Sequence, residues 1–110
     1  MRRELEERWL MLTRDVLPGL ARARDWPVRA DHCFQRILLD QACGGVWYDH
    51  IAGRPAYASA GISILTRAVS LGEACVEGTA DLAALNRQSL AWRRGRTVAA
   101  SGSAPMKQLI

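Results

Sequence analysis

The amino-acid sequence predicts an all-α protein, a single compact bundle of four to five helices. Apolar residues recur at helical spacing, glycine and proline stand where helices should end, and no useful stretch alternates as a strand would. With 110 residues, 49% of them hydrophobic and 24% charged, the chain has the size and composition of one globular domain. We expect residues 1–96 to form this domain and residues 97–110 to form a mobile, disordered tail.

The first helix is predicted by a stripe near the N-terminus. Four apolar residues, spaced four, three and four positions apart, share one helix face: Leu5, Trp9, Leu12 and Val16. Pro18 should kink this helix or begin a new one in its first turn, because proline blocks a backbone hydrogen bond in a helix interior. Helix should then continue to about Asp25 and be followed by an extended link at Pro27.

A second helix is predicted from Asp31 to Cys43. Its apolar face consists of Phe34, Ile37, Leu38 and Ala42. Asp31 is placed to cap the free amides of its first turn, and Gly44 should end the helix in a left-handed conformation. Residues 44–60 have no helical period and should form an irregular loop.

Two more helices are predicted in the C-terminal half. Residues 62–77 carry two adjacent apolar stripes, which is typical of a helix buried on a broad face. These stripes are Ile62, Leu65, Val69 and Val76, and Ile64, Ala68, Leu71 and Cys75. Gly78 should end this helix and Thr79 should begin the last one, which extends to about Arg96.

The composition argues against a membrane or secreted protein. No run approaches the ~20 apolar residues that a membrane helix needs, and the N-terminus mixes glutamates with arginines, unlike a signal peptide. Three cysteines without a C-x-x-C pair predict a reduced, cytoplasmic protein. We therefore expect no membrane partner, and the sequence leaves open whether the chain forms a homo-oligomer.

Residues 31–50, DHCFQRILLDQACGGVWYDH, contain both histidines, each preceded by an aspartate. If the loop folds back over the helix, His50 approaches His32, with Asp49 beside it. Such a pair could serve as general acid and base, or could hold zinc or iron. The spacing matches no known ligand motif, so the sequence leaves open whether the protein has a cofactor.

An anionic partner is the leading interpretation of the same segment. The candidate binding residues are Arg36, Asp40, Trp47, Tyr48, Arg54 and Tyr57. Arginine forks suit the geometry of phosphate and carboxylate groups, so the partner could be a protein, a nucleic acid or a phosphorylated small molecule. In the simpler alternative, Arg36 and Asp40 form an exposed pair on the solvent face of the helix.

The net charge of +4 is concentrated at the C-terminal end. Residues 1–81 carry ten basic and eleven acidic side chains, and no acidic residue follows Asp81. A basic helix with a cationic tail can contact nucleic-acid phosphates. The candidate residues for such contact are Arg87, Arg93, Arg94 and Arg96. No nucleic-acid-binding motif is present, and a solvated helix carries similar charges.

The strings DHCFQRILLD, GGVWYDHI, RPAY and LAALNRQSLAWR resemble a family of small uncharacterised bacterial proteins, often labelled as GNAT-type N-acetyltransferases. The resemblance covers most of residues 9–93. It is carried by Asp31, His32, Arg36, Asp40, Trp47, Arg54, Pro55, Asn86 and Trp92. The label implies a mixed α/β sheet and a coenzyme A loop of the form Q/R-x-x-G-x-G/A, whereas this sequence predicts helices and lacks that loop. The resemblance assigns no catalytic residue.

The sequence thus favours a cytoplasmic helical binding or adaptor module. Its working surface would be the segment Asp31–Tyr57, with the arginine-rich end contributing to an anionic partner. One alternative is a small enzyme or metal-binding protein with a site at His32 and His50. The other is the acetyltransferase that the resemblance implies.

Overall fold

A computed structural model describes residues 2–101 of the chain, with side chains described for residues 2–95. The order of elements is α1 (Arg2–Met11), a π turn (Leu12–Val16), α2 (Leu17–Ala21), α3 (Asp31–Cys43), a 3-10 turn (Trp47–Asp49), α4 (Ala56–Ser59), α5 (Ile62–Glu77) and α6 (Leu82–Ser101). These residues contain no strand, so the predicted all-α fold class is confirmed. Within the same range, no helix combines the length and apolar character needed to cross a membrane.

The N-terminal helix accommodates Pro18 by widening its coil. The π turn lies just before α2, and the amide of Leu17 bonds to the carbonyl of Leu12, five residues earlier. Pro18 then stands in the first turn of α2, as predicted, where its missing amide hydrogen costs least. The wider turn keeps Trp9, Leu12 and Leu17 in the core, each fully buried.

Helix α3 is the central element and packs against α5, α6 and the π turn. Its predicted apolar face is confirmed, with Phe34 and Ile37 fully buried. The predicted cap was wrong by one residue: Ala30 is the N-cap, and Asp31 is the first helical residue. The Asp31 carboxylate accepts the His32 amide at 2.7 Å, and its charge still suits the positive end of the helix dipole. Gly44 ends α3 at φ 72°, in the left-handed region that was predicted.

Helix α5 buries a broad face, although its first residue does not belong to it. Leu65 and Ala68 are fully buried, whereas Ile62 is 48% exposed. Ile62 was therefore wrongly predicted as core: it is the first residue of α5 and lines an open surface pocket beside Leu5 and Arg8 of α1. Gly72 lies where the helices approach closely, and a Cβ added there would stand 3.1 Å from Cδ1 of Leu12.

Helix α6 begins and ends later than predicted. Asp81, not Thr79, accepts an amide of the first turn, that of Ala84 at 3.2 Å. The Thr79 hydroxyl instead donates back to a carbonyl of α5. The helix continues to Ser101, so residues 97–101 extend it rather than begin the expected tail. The rest of that predicted tail, residues 102–110, lies outside the described residues.

Several arginines hold backbone carbonyls at the ends of other helices. Arg24 donates to two carbonyls in the last turn of α5, at 2.7 and 2.8 Å. Arg67 donates to the Ala42 carbonyl near the end of α3, and Arg2 donates to the Tyr57 carbonyl. A cation at the C-terminal end of a helix also interacts favourably with the negative end of the helix dipole. Several of the basic side chains therefore stabilise contacts between helices of this chain.

The ion pair between Arg8 of α1 and Glu73 of α5 should make stability depend on pH. Two hydrogen bonds from the Arg8 guanidinium join the pair and hold the pKa of Glu73 below its ordinary value. Because the folded-state pKa is lowered, the stabilisation is present above the unfolded pKa and is lost as pH falls through the lowered one. Glu73→Gln should therefore reduce the free energy of unfolding at pH 7 by no more than about 1 kcal/mol, since both side chains are over one-third exposed.

The measurement is urea unfolding at pH 7 and pH 3. Glu73→Gln should lose less stability than the wild-type protein between these pH values, because its amide does not titrate. Glu77→Gln, which removes an exposed charge from the same helix, is the matched control. Equal losses of stability in Glu73→Gln and the wild-type protein would contradict the assignment.

Candidate functional site

A cavity of about 280 Å³ lies between α3 and the segment that follows it. It is lined by His32, Gln35, Arg36, Leu39, Trp47, Arg54, Pro55 and Ala56. The four residues from α3 are spaced three, one and three positions apart, so they share one helix face. None of the eight lining residues, all in the described part of the chain, is acidic. The loop therefore folds back against α3, bringing two arginines to one cavity.

Asp40 lies behind this cavity at the centre of a buried polar network. Its side chain is fully buried, and four hydrogen bonds reach its two carboxylate oxygens. Oδ1 accepts the Trp47 amide at 2.9 Å and Nη2 of Arg93 at 3.1 Å. Oδ2 accepts the Ser89 hydroxyl at 2.7 Å and Nε of Arg93 at 3.0 Å. A carboxylate has about four acceptor sites, so Asp40 is fully satisfied.

The network corrects the predicted pairing of Arg36 with Asp40. Helix α6 covers this face of α3, so Asp40 faces the interior instead of solvent, and its ion-pair partner is Arg93. Arg36 donates to the Ser89 hydroxyl and to Oδ1 of Asn86, each at 2.8 Å. Both of those acceptors are neutral. Arg36 therefore presents a positive charge to the cavity without a direct carboxylate partner.

Arg54 supplies the second positive charge of the cavity. Its guanidinium lies 5.5 Å from the centre of the Trp47 ring, a cation–π contact that holds an exposed arginine over an aromatic surface. Within residues 2–95, no hydrogen bond or ion pair occupies the Arg54 guanidinium. Its N–H groups are therefore available to a ligand.

The two tyrosines predicted for binding lie outside the cavity. Tyr48 packs edge-on against Trp47, with ring centres 5.4 Å apart, and the Arg93 guanidinium lies 5.3 Å from its ring centre. Tyr57 is half-buried against the core, and its carbonyl accepts a hydrogen bond from Arg2. Both tyrosines support the surrounding structure, whereas Arg36, Trp47 and Arg54 line the cavity itself.

Gln35 is a cavity residue that the sequence reasoning missed. Buried Thr13 donates its hydroxyl hydrogen to the Trp9 carbonyl at 3.0 Å. Its oxygen must therefore accept from Gln35, whose Nε2 stands 3.0 Å away. This chain of hydrogen bonds orients the Gln35 amide and leaves Oε1 as the atom that can accept from a ligand. The available signal was its position on the same helix face as His32.

The two histidines do not meet. His32 borders the cavity in the first turn of α3, 81% exposed, with Nδ1 3.8 Å from the Asp31 carboxylate. His50 lies beyond the other end of α3, where a Cβ added to Gly45 would be 3.6 Å from Nε2. A helix of 13 residues is about 20 Å long, so the loop brings Trp47 and Arg54, not His50, back to His32.

The acid–base site and the zinc or iron site predicted for His32 and His50 both required the two imidazole rings to lie close together. Asp49, the third candidate catalytic residue, is exposed beside His50. Among the described side chains, those of residues 2–95, no group of three histidines, cysteines, aspartates or glutamates is placed to hold a metal ion. The histidine pair is therefore not assembled as a shared site.

The predicted nucleic-acid residues divide into two kinds. Arg93 is bound to Asp40, so its charge is largely neutralised inside the fold. Arg87 and Arg94 are exposed on α6, while the side chain of Arg96 lies outside the described residues. The basic surface described on α6 is therefore smaller than the sequence predicted.

All three cysteines are unpaired. Burial raises the pKa of the Cys43 thiol and raises that of the fully buried Cys75 to about 11. Both thiols are therefore protonated at neutral pH and poorly nucleophilic. Cys33 is half-buried in the first turn of α3.

Comparison with protein-family models, with curated proteins and with solved structures gives no match to this chain. The resemblance to small bacterial proteins, with its acetyltransferase label, therefore stays a prediction. The fold and the site define an all-α protein with a basic cavity beside a buried carboxylate network. Any function has to be argued from that geometry.

Proposed function

We propose that this protein is a small cytoplasmic binding or adaptor module, which captures an anionic group of a partner in the cavity between α3 and residues 47–56. One observation carries the proposal: Arg36 and Arg54 line the same cavity, and no acidic residue lines it with them. The buried charge of Asp40 is matched by Arg93, so it does not cancel that of Arg36. Three unpaired cysteines agree with a reducing compartment.

The cavity is also organised before any ligand arrives. Arg36 is held by Asn86 and Ser89, and Arg54 rests over Trp47. Holding the donors in place reduces the conformational entropy lost on binding. Of the five N–H groups of Arg36, two are used in these bonds, so three remain for an anion.

The enzymatic alternatives have less support. Acid–base or metal chemistry at His32 and His50 requires two side chains that lie at opposite ends of α3. Acetyl transfer of the GNAT type requires a mixed sheet, and residues 2–101 contain no strand. Binding requires only the basic cavity that is present.

The test is a nuclear magnetic resonance titration of ¹⁵N-labelled protein with sodium acetate and with inorganic phosphate. We expect at least one of these anions to shift the amide signals of α3 and of residues 47–56. Arg54→Gln should weaken that binding about tenfold or more, because it removes charge-assisted hydrogen bonds. Arg14→Gln, which changes an exposed arginine of the π turn, should leave it unchanged.

A short duplex DNA, added at low salt, separates this proposal from nucleic-acid binding. Nucleic-acid binding through α6 would shift signals around Arg87 and Arg94 and would weaken steeply as salt is raised. That pattern, together with no response of the cavity to acetate or phosphate, would overturn the proposal in favour of nucleic-acid binding.

A further inference from the structure

The cavity carries two features that anion binding alone does not use. Four of its lining residues are apolar, Leu39 on α3 and Trp47, Pro55 and Ala56 on the facing segment. The other feature is the Gln35 amide, which Thr13 orients so that its oxygen is left for a ligand. A simple anion such as phosphate would contact neither of them productively.

The size of the cavity limits what can enter. Its volume of about 280 Å³ lies just below the range of roughly 300–1,000 Å³ that is usual for ligand pockets. The space suits a group of amino-acid size with a charged head, and it is small for a dinucleotide or coenzyme A. The ligand should therefore combine an anion, a hydrogen-bond donor and a compact apolar group.

An acylated α-amino acid has these three parts on adjacent atoms. Its carboxylate can accept hydrogen bonds from Arg36 and Arg54, and its amide N–H can donate to Oε1 of Gln35. Its side chain can lie against Leu39 and Ala56. A phosphate monoester, by contrast, has no N–H to offer to the glutamine oxygen.

Resting on the proposed function, we infer that the ligand is an acylamino carboxylate with an apolar side chain. The same chemistry occurs at the C-terminus of a polypeptide and in a free N-acyl amino acid. Arg36 and Arg54 select the carboxylate, Gln35 selects the acylated nitrogen, and the apolar lining residues select the side chain.

Two of the three probes for this inference each differ from N-acetyl-leucine by one group. N-acetyl-leucine carries all three parts, N-acetyl-leucinamide lacks the carboxylate, and N-acetyl-N-methyl-leucine lacks the N–H. In titrations followed by nuclear magnetic resonance, the amide should bind about 10- to 100-fold more weakly than the acid, and the N-methyl compound about three- to tenfold more weakly.

The variant Gln35→Met tests the role of the glutamine oxygen. Methionine has a similar length but cannot accept the hydrogen bond at that point, so N-acetyl-leucine and its N-methyl analogue should bind Gln35→Met about equally. A purely structural role for Gln35 would weaken both compounds and preserve their ratio, which would overturn its assignment. Gln88→Met, at an exposed position on α6, should keep the wild-type ratio.

An acetylated tetrapeptide ending in leucine with a free carboxylate distinguishes the two sources. Binding at least as tight as that of N-acetyl-leucine supports a polypeptide terminus, whereas loss of binding supports a free N-acyl amino acid. If N-acetyl-leucine binds no better than acetate, or phosphate binds more tightly, the inference fails while the proposed anion site stands. If no anion shifts the cavity signals, the proposed function fails as well.

Discussion

Replacement of Asp40 by alanine is expected to lower the free energy of unfolding by about 3–5 kcal/mol, as is usual when one partner of a buried ion pair is removed. The loss would leave the Arg93 guanidinium without its counter-charge. It would also remove the acceptor of the Ser89 hydroxyl and of the Trp47 amide. Because the Arg93 side chain is 26% exposed, water can solvate part of it, which favours the lower end of this range.

Urea unfolding of three variants measures this effect. Asp15→Ala, which changes an exposed aspartate of the π turn, should alter the unfolding free energy by no more than about 0.5 kcal/mol. In Asp40→Ala/Arg93→Met the total loss should be smaller than the sum of the single losses, because the double variant contains no unpaired buried charge. Additive losses, or an Asp40→Ala variant as stable as Asp15→Ala, would contradict the role of the network.

The apolar periodicity of α3 predicted its inner face, but it could not predict that Asp40 is buried under α6. The apolar residues of α3 identified its inner face, and Phe34 and Ile37 are buried as expected. The pattern could not show that α6 covers a second face, since the covering residues stand about 50 positions later in the chain. A sequence signal did exist, because Asn86, Ser89 and Arg93 lie on one face of α6 at spacings of three and four.

The helix ends at glycines were predicted correctly, whereas the residues that cap two helix starts were not. Gly44 and Gly78 end their helices because each adopts a positive φ that other residues rarely adopt, which is a local property of glycine. The start of α3 at Asp31 was predicted correctly, although Ala30 rather than Asp31 is its N-cap. The start of α6 was misplaced, since neighbouring polar residues can each accept an amide of the first turn. Asp81 caps α6 although Thr79 carried the same kind of signal.

The candidate site depends on a local feature, the path of the loop after α3, and on a long-range one, the pairing of Asp40 with Arg93. The predicted site required the loop to return to α3, and the loop does bring Trp47 and Arg54 to the face that carries Arg36. The electrostatic state of Arg36 was not predictable, because it depends on the distant pairing of Asp40 with Arg93. An Arg36–Asp40 pair would have left Arg54 as the main cation of the cavity. In the observed pairing neither cavity arginine has a carboxylate partner among the described residues, and the proposed binding of a carboxylate follows from that difference.

The second large effect is expected at Trp9, the largest fully buried side chain. Trp9→Ala should lower the free energy of unfolding by about 3–5 kcal/mol, because it removes many packing contacts and leaves a cavity in the hydrophobic core. The indole N–H is also unusual, since among the described residues it is the buried side-chain polar atom without a hydrogen-bond partner. An unpaired buried donor costs about 1–3 kcal/mol.

Trp9→Phe should therefore be much milder than Trp9→Ala, with a loss of no more than about 1.5 kcal/mol. Phenylalanine is smaller, but it also lacks the unpaired donor, so the two contributions oppose each other. Urea unfolding followed by circular dichroism measures both variants, and Trp26→Phe, at a half-buried tryptophan, serves as the matched control. If Trp9→Phe destabilised the protein as much as Trp9→Ala, the indole N–H would have to be paired in solution. In that case a hydrogen bond of the indole N–H, and not the packing of the helices, would explain why a tryptophan occupies this position.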